Sequence, residues 1–149
     1  MGGFSMAEKN KVLLVDDEVE FTEALAERMT TRGIDVDTVD SGYAALDAVK
    51  SKDFHAVILD LAMPGMDGIQ TLKRLREENP DLQIIVLTGK ATIEKGIEAM
   101  KLGAMDFLEK PADIKKIMEM IEQARGKRNI LMAKQFEKRI KDIQRKKGW

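Results

Sequence analysis

Apolar and polar positions along the chain fall into two kinds of block. Three apolar runs, VLLV at 12–15, AVIL at 56–59 and IIVL at 84–87, are too short for helices. They are also too uniformly apolar for strands with one wet face, so they predict strands buried on both faces, as in a parallel sheet. Weaker strands are expected over 34–39, where polarity alternates, and over 105–109. Between the runs lie helical spacings: Phe21, Leu25 and Met29; Ala45, Leu46 and Val49; Ile69, Leu72 and Leu75; Ile93, Ile97 and Met100; Ile114, Ile117 and Ile121. Ser41 and Asp113 stand where helix N-caps belong, Asp17 reads as a further N-cap, and Gly33 and Gly103 stand where helices should stop. Strand and helix alternate five times, which predicts an α/β fold: a doubly wound, five-stranded parallel sheet flanked by five helices.

In such sheets ligands bind outside the carboxyl ends of the strands. The residues that follow the strand candidates therefore mark a site. Asp16 and Asp17 follow the first strong run, Asp60 the second, Thr88 the third, and Lys110-Pro111 the last strand. Carboxylates about 4 Å apart repel by about 4 kcal/mol per pair at an effective dielectric near 20. Three of them on one edge need a cation or must take up a proton. Hard oxygen ligands on a partly solvated rim suit Mg²⁺. A lysine and a threonine supply a charge and a hydrogen bond for a phosphoryl oxygen, and a carboxylate can attack phosphorus. Taken singly, each acid reads equally well as a loop-solvating or helix-capping residue; it is the gathering on one edge that points to phosphoryl chemistry.

Composition narrows the alternatives. The chain has 149 residues, 44% hydrophobic and 34% charged, enough for one ordinary domain plus an appendage. The absence of cysteine excludes disulfides, thiolate metal sites and thiol nucleophiles, and a single histidine, His55, excludes multi-histidine metal sites. His55 opens the central strand away from the site end and reads as structural. No apolar run approaches the ~20 residues that span a bilayer. The first six residues lack the charged and apolar regions of a secretion signal. The expected compartment is the cytoplasm, with no membrane partner. Residues 1–9 are expected to be an added or disordered leader.

Charge divides the chain. Residues 1–114 carry 13 Lys/Arg against 22 Asp/Glu, a net −9, and residues 115–149 carry 12 against 4, a net +8. An acidic body over 10–125 and a basic amphipathic tail or linker over 126–149 are expected. Met132, Phe136, Ile140 and Ile143 form an apolar stripe on that tail. It could pair with a twin in a homodimer, link onward to an output domain, touch nucleic acid or an acidic partner, or stay solvated. No helix-turn-helix fits in the 35 residues from 115 to 149, which are already committed to closing the body, and this argues against direct, sequence-specific DNA reading.

Asp16-Asp17 after a VLLV strand, the segment LDLAMPGMDG from Leu59 to Gly68, Leu87-Thr88-Gly89 and Glu109-Lys110-Pro111 together resemble the receiver domain of two-component response regulators. The resemblance covers about residues 10–125, and the phrasing from Ile93 to Pro111 is similar to receivers of sigma-54-dependent activators. It implies a flavodoxin-like or CheY-like fold, with a C-terminal helical extension beyond it here. By the same resemblance Asp60 is the phosphoacceptor, fed by a sensor histidine kinase or a phosphotransfer protein. Asp17, Asp60 and the Ala62 carbonyl would ligate Mg²⁺, with Asp16 acting mainly through a metal-bound water. Lys110 would pair with phosphoryl oxygens, and a cis bond to Pro111 would aim it inward. Thr88 would hydrogen-bond the phosphoryl group, and Phe107 would be the switch aromatic, though an ordinary core aromatic fits its place equally. Ala62 and Lys90 occupy positions that tune dephosphorylation, in opposite directions. The output face would combine the Ile93–Met100 helix, the Met105–Glu109 strand and the last body helix, and it offers a second route to a homodimer. Such a chain is a switch, not an enzyme, catalysing only its own phosphorylation and dephosphorylation.

Three other readings remain at this stage. A haloacid-dehalogenase-type phosphatase would want a second acid where Ala62 stands. A flavin module would want a phosphate-cradling loop where Asp16-Asp17-Glu18 stands. A receiver-fold adaptor would bind proteins without phosphorylation.

Overall fold

The computed structural model describes residues 9–63, 66–89 and 93–146. Five parallel strands form one sheet in the order β2-β1-β3-β4-β5. They are β1 (Lys11–Val15), β2 (Asp35–Val39), β3 (Ala56–Asp60), β4 (Ile84–Thr88) and β5 (Asp106–Glu109). Five helices join or follow them: α1 (Val19–Thr31), α2 (Gly42–Ser51), α3 (Gly68–Glu78), α4 (Ile93–Lys101) and α5 (Ile114–Lys146). The expected doubly wound architecture is the one found. Residues 1–8 of the leader, Pro64, Gly65 and Lys90 lie outside the described residues.

Because successive strand residues point to opposite faces, the apolar runs feed two cores. Leu13, Val15, Val57, Leu59, Ile84 and Val86 pack under Ala45, Leu72, Leu75 and Ala99 from α2, α3 and α4. Val12, Leu14, Ala56, Ile58, Ile85 and Leu87 pack under Leu25, Met29, Ile117 and Ile121 from α1 and α5. Every residue of β3 and β4 is buried, which is why their sequences do not alternate.

The punctuation is mostly as expected. Ser41 caps α2 by accepting from Ala44 N, and Asp113 accepts from Lys115 N at the start of α5. Gly33 and Gly103 sit at φ +87° and +103°, a backbone region that costs glycine little. Asp17 is not an N-cap. Glu18 holds that position for α1 with no side-chain cap bond, and Asp16 Oδ1 accepts the Glu18 N–H at 3.0 Å. The buried strand-end carboxylate reaches the helix start first.

One expectation needs further correction. The stripe Ile93, Ile97 and Met100 does not face the core: these residues are 40%, 49% and 39% exposed, and Gly96 and Ala99 form the buried side of α4. Large apolar residues mark the outer face there because the inner face needs small ones to lie close to the sheet. At residue 126, where the tail is expected to begin, the backbone does not break. Helix α5 runs through Gly126 as one element of 33 residues. A mid-helix glycine costs about 1 kcal/mol relative to alanine, too little to break a helix flanked by good helix formers. Past Gly126 the helix keeps touching the body, with Arg128 paired to Asp53 and Gln135 to Asp81. Its stripe of Met132, Phe136, Ile140 and Ile143 is exposed.

His55 lies at the opposite sheet edge from the acidic residues. Its Nδ1 accepts the Lys11 N–H at 2.9 Å and so ties the starts of β1 and β3, the structural role expected.

Candidate functional site

The sheet order reverses direction between β1 and β3, and a crevice opens there at the carboxyl ends of the strands. The register places Val15 beside Leu59 and Asp60 beside Leu87, so the residues ending β1, β3 and β4 arrive at one level. Asp16, Asp17 and Asp60 each offer a carboxylate oxygen within 4.8 Å of the others. Asp16 and Asp60 are buried, and Asp17 is half-buried.

Lys110 enters this cluster from the end of β5, its N–H donating to the Thr88 carbonyl at 2.6 Å; the Lys110–Pro111 peptide bond is cis. Its ammonium lies 2.8 Å from Asp16 Oδ2, 2.8 Å from Glu18 Oε1 and 3.6 Å from Asp60 Oδ2. One cation thus faces three carboxylates. Burial pushes the Asp60 carboxyl up to about 6, and the Asp16 charge pushes the same way. The Ala62 N–H donated to Asp60 Oδ1 at 3.1 Å and the Lys110 charge oppose the rise without cancelling it. Burial alone would lower the Lys110 pKa, but the close carboxylates of Asp16 and Glu18 and the charge of Asp60 raise it overall. The ammonium therefore stays charged.

Thr88 is fully buried and donates from Oγ1 to the Leu108 carbonyl at a long 3.4 Å. Phe107 is half-buried against the α2–α3–α4 core. Both meet Gly96 of α4, where a Cβ would come 3.1 Å from Thr88 Cγ2 and 3.3 Å from Phe107 Cδ2. Gly96 was not singled out in the sequence; a glycine inside a helical pattern that already lacks large inner residues was the available signal. Glu18 and Phe21 were also missed as partners of Lys110, because they come from the start of a helix rather than the end of a strand. Met63 and Met66 are buried, as a packing role requires.

A buried acidic cluster short of positive charge fits a divalent cation. The observation that tests this is Asp16 Oδ2, a fully buried oxygen that has the Lys110 ammonium nearby but no donor aligned to hydrogen-bond it. With Asp17 and Asp60 it makes an all-oxygen donor set of the kind Mg²⁺ takes, with room for water on the exposed side.

A doubly wound sheet with three aspartates, a threonine and a lysine on its carboxyl edge is the arrangement expected of a response regulator receiver. The chain belongs to the response regulator receiver domain family, whose sequence profile matches residues 12–122. It is 37% identical over 119 residues to the transcriptional regulatory protein FixJ of Bradyrhizobium diazoefficiens, covering 80% of this chain and 58% of that protein. It is 38% identical over 116 residues to the transcriptional regulatory protein ZraR of Salmonella typhimurium, covering 78% of this chain and 26% of that one. The chain thus spans between about a quarter and three fifths of these relatives. The receiver domain of NtrX from Brucella abortus superposes with a TM-score of 0.74 at 29% identity, over 77% of this chain and 98% of that one. A response regulator receiver domain protein from Clostridium thermocellum superposes with a TM-score of 0.79 at 27% identity, over 82% and 98%. Members of this family work in two-component signalling, bind Mg²⁺ at an acidic pocket and interact with histidine kinases or phosphotransfer proteins. No helix among the described residues is long and apolar enough to cross a membrane.

Proposed function

We propose that Asp60 accepts a phosphoryl group from the phosphohistidine of a sensor kinase or phosphotransfer protein. A carboxylate oxygen of Asp60 attacks phosphorus, the new O–P bond forms as the N–P bond breaks, and the electron pair leaves with the imidazole nitrogen. The observation that carries this reading is the placement of Asp60: buried, among two other aspartates, with a charged lysine 3.6 Å away. Asp16, Asp17, Asp60 and the Ala62 carbonyl would hold Mg²⁺, which supplies charge neutralisation for the transferring group. Lys110 binds phosphoryl oxygens. Ala62, exposed beside Asp60, leaves water a path to the phosphoryl group, whereas Lys90 would screen it. The chain is a switch and turns over only its own phosphoryl group.

Phosphorylation adds nearly two negative charges and three acceptor oxygens at Asp60. Thr88 then exchanges its long bond to Leu108 for a phosphoryl oxygen, and its movement reaches α4 through Gly96 and Phe107. The exposed Ile93, Ile97 and Met100 support an output face on α4, β5 and α5. Relatives named as transcriptional regulators support an output in transcription, executed by a domain other than this one in the cytoplasm.

The test is intact mass after incubation with Mg²⁺ and acetyl phosphate. Wild type should gain one phosphoryl group, only with Mg²⁺, and Asp60→Asn should gain none. If wild type gains nothing and also fails to bind beryllofluoride, the adaptor reading replaces this one. A homodimer through the output face or the α5 stripe is tested by light scattering. The expected result is a mass that rises with concentration or phosphorylation; a monomer under all conditions would sink the dimer.

A further inference from the structure

Lys110 is held by more than the strand-end acids. Its ammonium is 2.8 Å from Glu18 Oε1 and 4.4 Å from the centre of the Phe21 ring, nearer to Glu18 than to Asp60 Oδ2 at 3.6 Å. Glu18 and Phe21 lie three residues apart at the start of α1, the spacing that brings side chains to one face of a helix. An ammonium has three N–H donors. Asp16 and Glu18 each hold it at 2.8 Å and leave it 3.6 Å from Asp60 Oδ2, so a phosphoryl oxygen on Asp60 has to compete with those two carboxylates for the position of the ammonium.

The two carboxylates differ in how readily they release it. The Asp16 side chain is wholly buried, so bulk water cannot take over its solvation, whereas the Glu18 side chain is 63% exposed and water can. The exchange therefore falls on Glu18. An aromatic face attracts a cation without spending a hydrogen bond, so Phe21 can keep the ammonium at the site while its partner changes.

We propose that Glu18 and Phe21 are positioning residues for Lys110: Glu18 occupies one ammonium N–H in the resting site and yields it to a phosphoryl oxygen, and Phe21 retains the ammonium during the exchange. This rests on Asp60 being the phosphoacceptor. A further consequence is that the Glu18 charge opposes the arriving phosphoryl anion, so Glu18 sets an upper limit on how tightly the site holds it.

The experiment measures beryllofluoride affinity of the full chain by ¹⁹F NMR at saturating Mg²⁺, with Mg²⁺ affinity alone by calorimetry. Glu18→Gln should bind beryllofluoride about three-fold tighter at low salt, the scale of an exposed ion pair, and the gain should shrink as salt screens the charge. Phe21→Leu, which keeps apolar bulk, should bind about three-fold weaker, the scale of one exposed cation–π contact. Phe21→Tyr restores the ring and should match wild type. Mg²⁺ affinity of Phe21→Leu should equal that of wild type, since a merely structural disturbance would move the carboxylates as well. The proposal is overturned if Glu18→Gln binds no tighter, if Phe21→Leu is unchanged, if Phe21→Tyr is as weak as Phe21→Leu, or if Phe21→Leu loses Mg²⁺ affinity. A wild type that neither binds beryllofluoride nor gains mass at Asp60 overturns the phosphoacceptor reading instead.

Discussion

Gly68→Ala is expected to destabilise the chain by about 3 kcal/mol, the upper range for forcing extra atoms into a packed interior. A Cβ at residue 68 would stand 2.3 Å from Leu61 Cα, 2.7 Å from the Asp60 carbonyl oxygen and 2.9 Å from the Leu61 carbonyl carbon. These are backbone atoms and cannot rotate away. Leu61 is held on the other side by its N–H donated to the Leu87 carbonyl, and its own carbonyl accepts the Gly68 N–H. Relief has to come from lifting the first turn of α3 off the end of β3, where the Asp60 side chain is aimed. Loss of phosphoryl uptake should accompany the loss of stability. Gly126→Ala is the control: a Cβ there meets nothing within 4 Å, and mid-helix alanine should stabilise by about 1 kcal/mol. Urea unfolding midpoints measure both, and a Gly68→Ala midpoint at or above that of wild type would refute the steric account.

The second large effect is electrostatic. Without Mg²⁺, folded Asp60 holds its proton up to about pH 6, whereas an unfolded aspartate releases it near 3.9. Between those values the folded state binds more protons, so the contribution of this group to stability is present at low pH and is lost as pH rises through 6. Asp60→Asn removes the charge and keeps the shape. In EDTA at pH 7.5 it should be more stable than wild type by about 2 kcal/mol, and the gap should close below pH 5. Mg²⁺ should reverse the order, since a ligand at 100 times its Kd adds about 2.7 kcal/mol to the form that binds it. Thermal melts of both proteins across pH, with and without Mg²⁺, read this directly. A metal-free Asp60→Asn no more stable than wild type would mean that the carboxylates do not repel as described.

Much of this site could be read from the chain because strand ends announce themselves. A buried strand is a run of apolar residues, and the first polar residue after it is where the backbone leaves the sheet. Asp16, Asp60, Thr88 and Lys110 were legible for that reason, and the fold's handedness and order brought them together. What was not legible depends on distance between elements. Periodicity says that α4 is a helix with one apolar stripe, but not whether the stripe faces the sheet; the close approach permitted by Gly96 turns it outward. The tight backbone contact at Gly68 leaves no pattern at all. Glu18 reads as one more acid in a polar loop until the chain beyond β5 returns 92 residues later to place Lys110 against it.

The continuity of α5 has a mechanical meaning. At 33 residues it is a rod about 50 Å long, rooted a few residues after Lys110 and crossing the body to emerge past the opposite sheet edge. Arg128 and Gln135 fasten it to Asp53 and Asp81 partway along, where they serve as a fulcrum. A tilt of about 5° about those contacts moves the far end, about 15 residues on, by about 2 Å. A rearrangement at the root of the helix would in this way be carried to its far end, on the other side of the body.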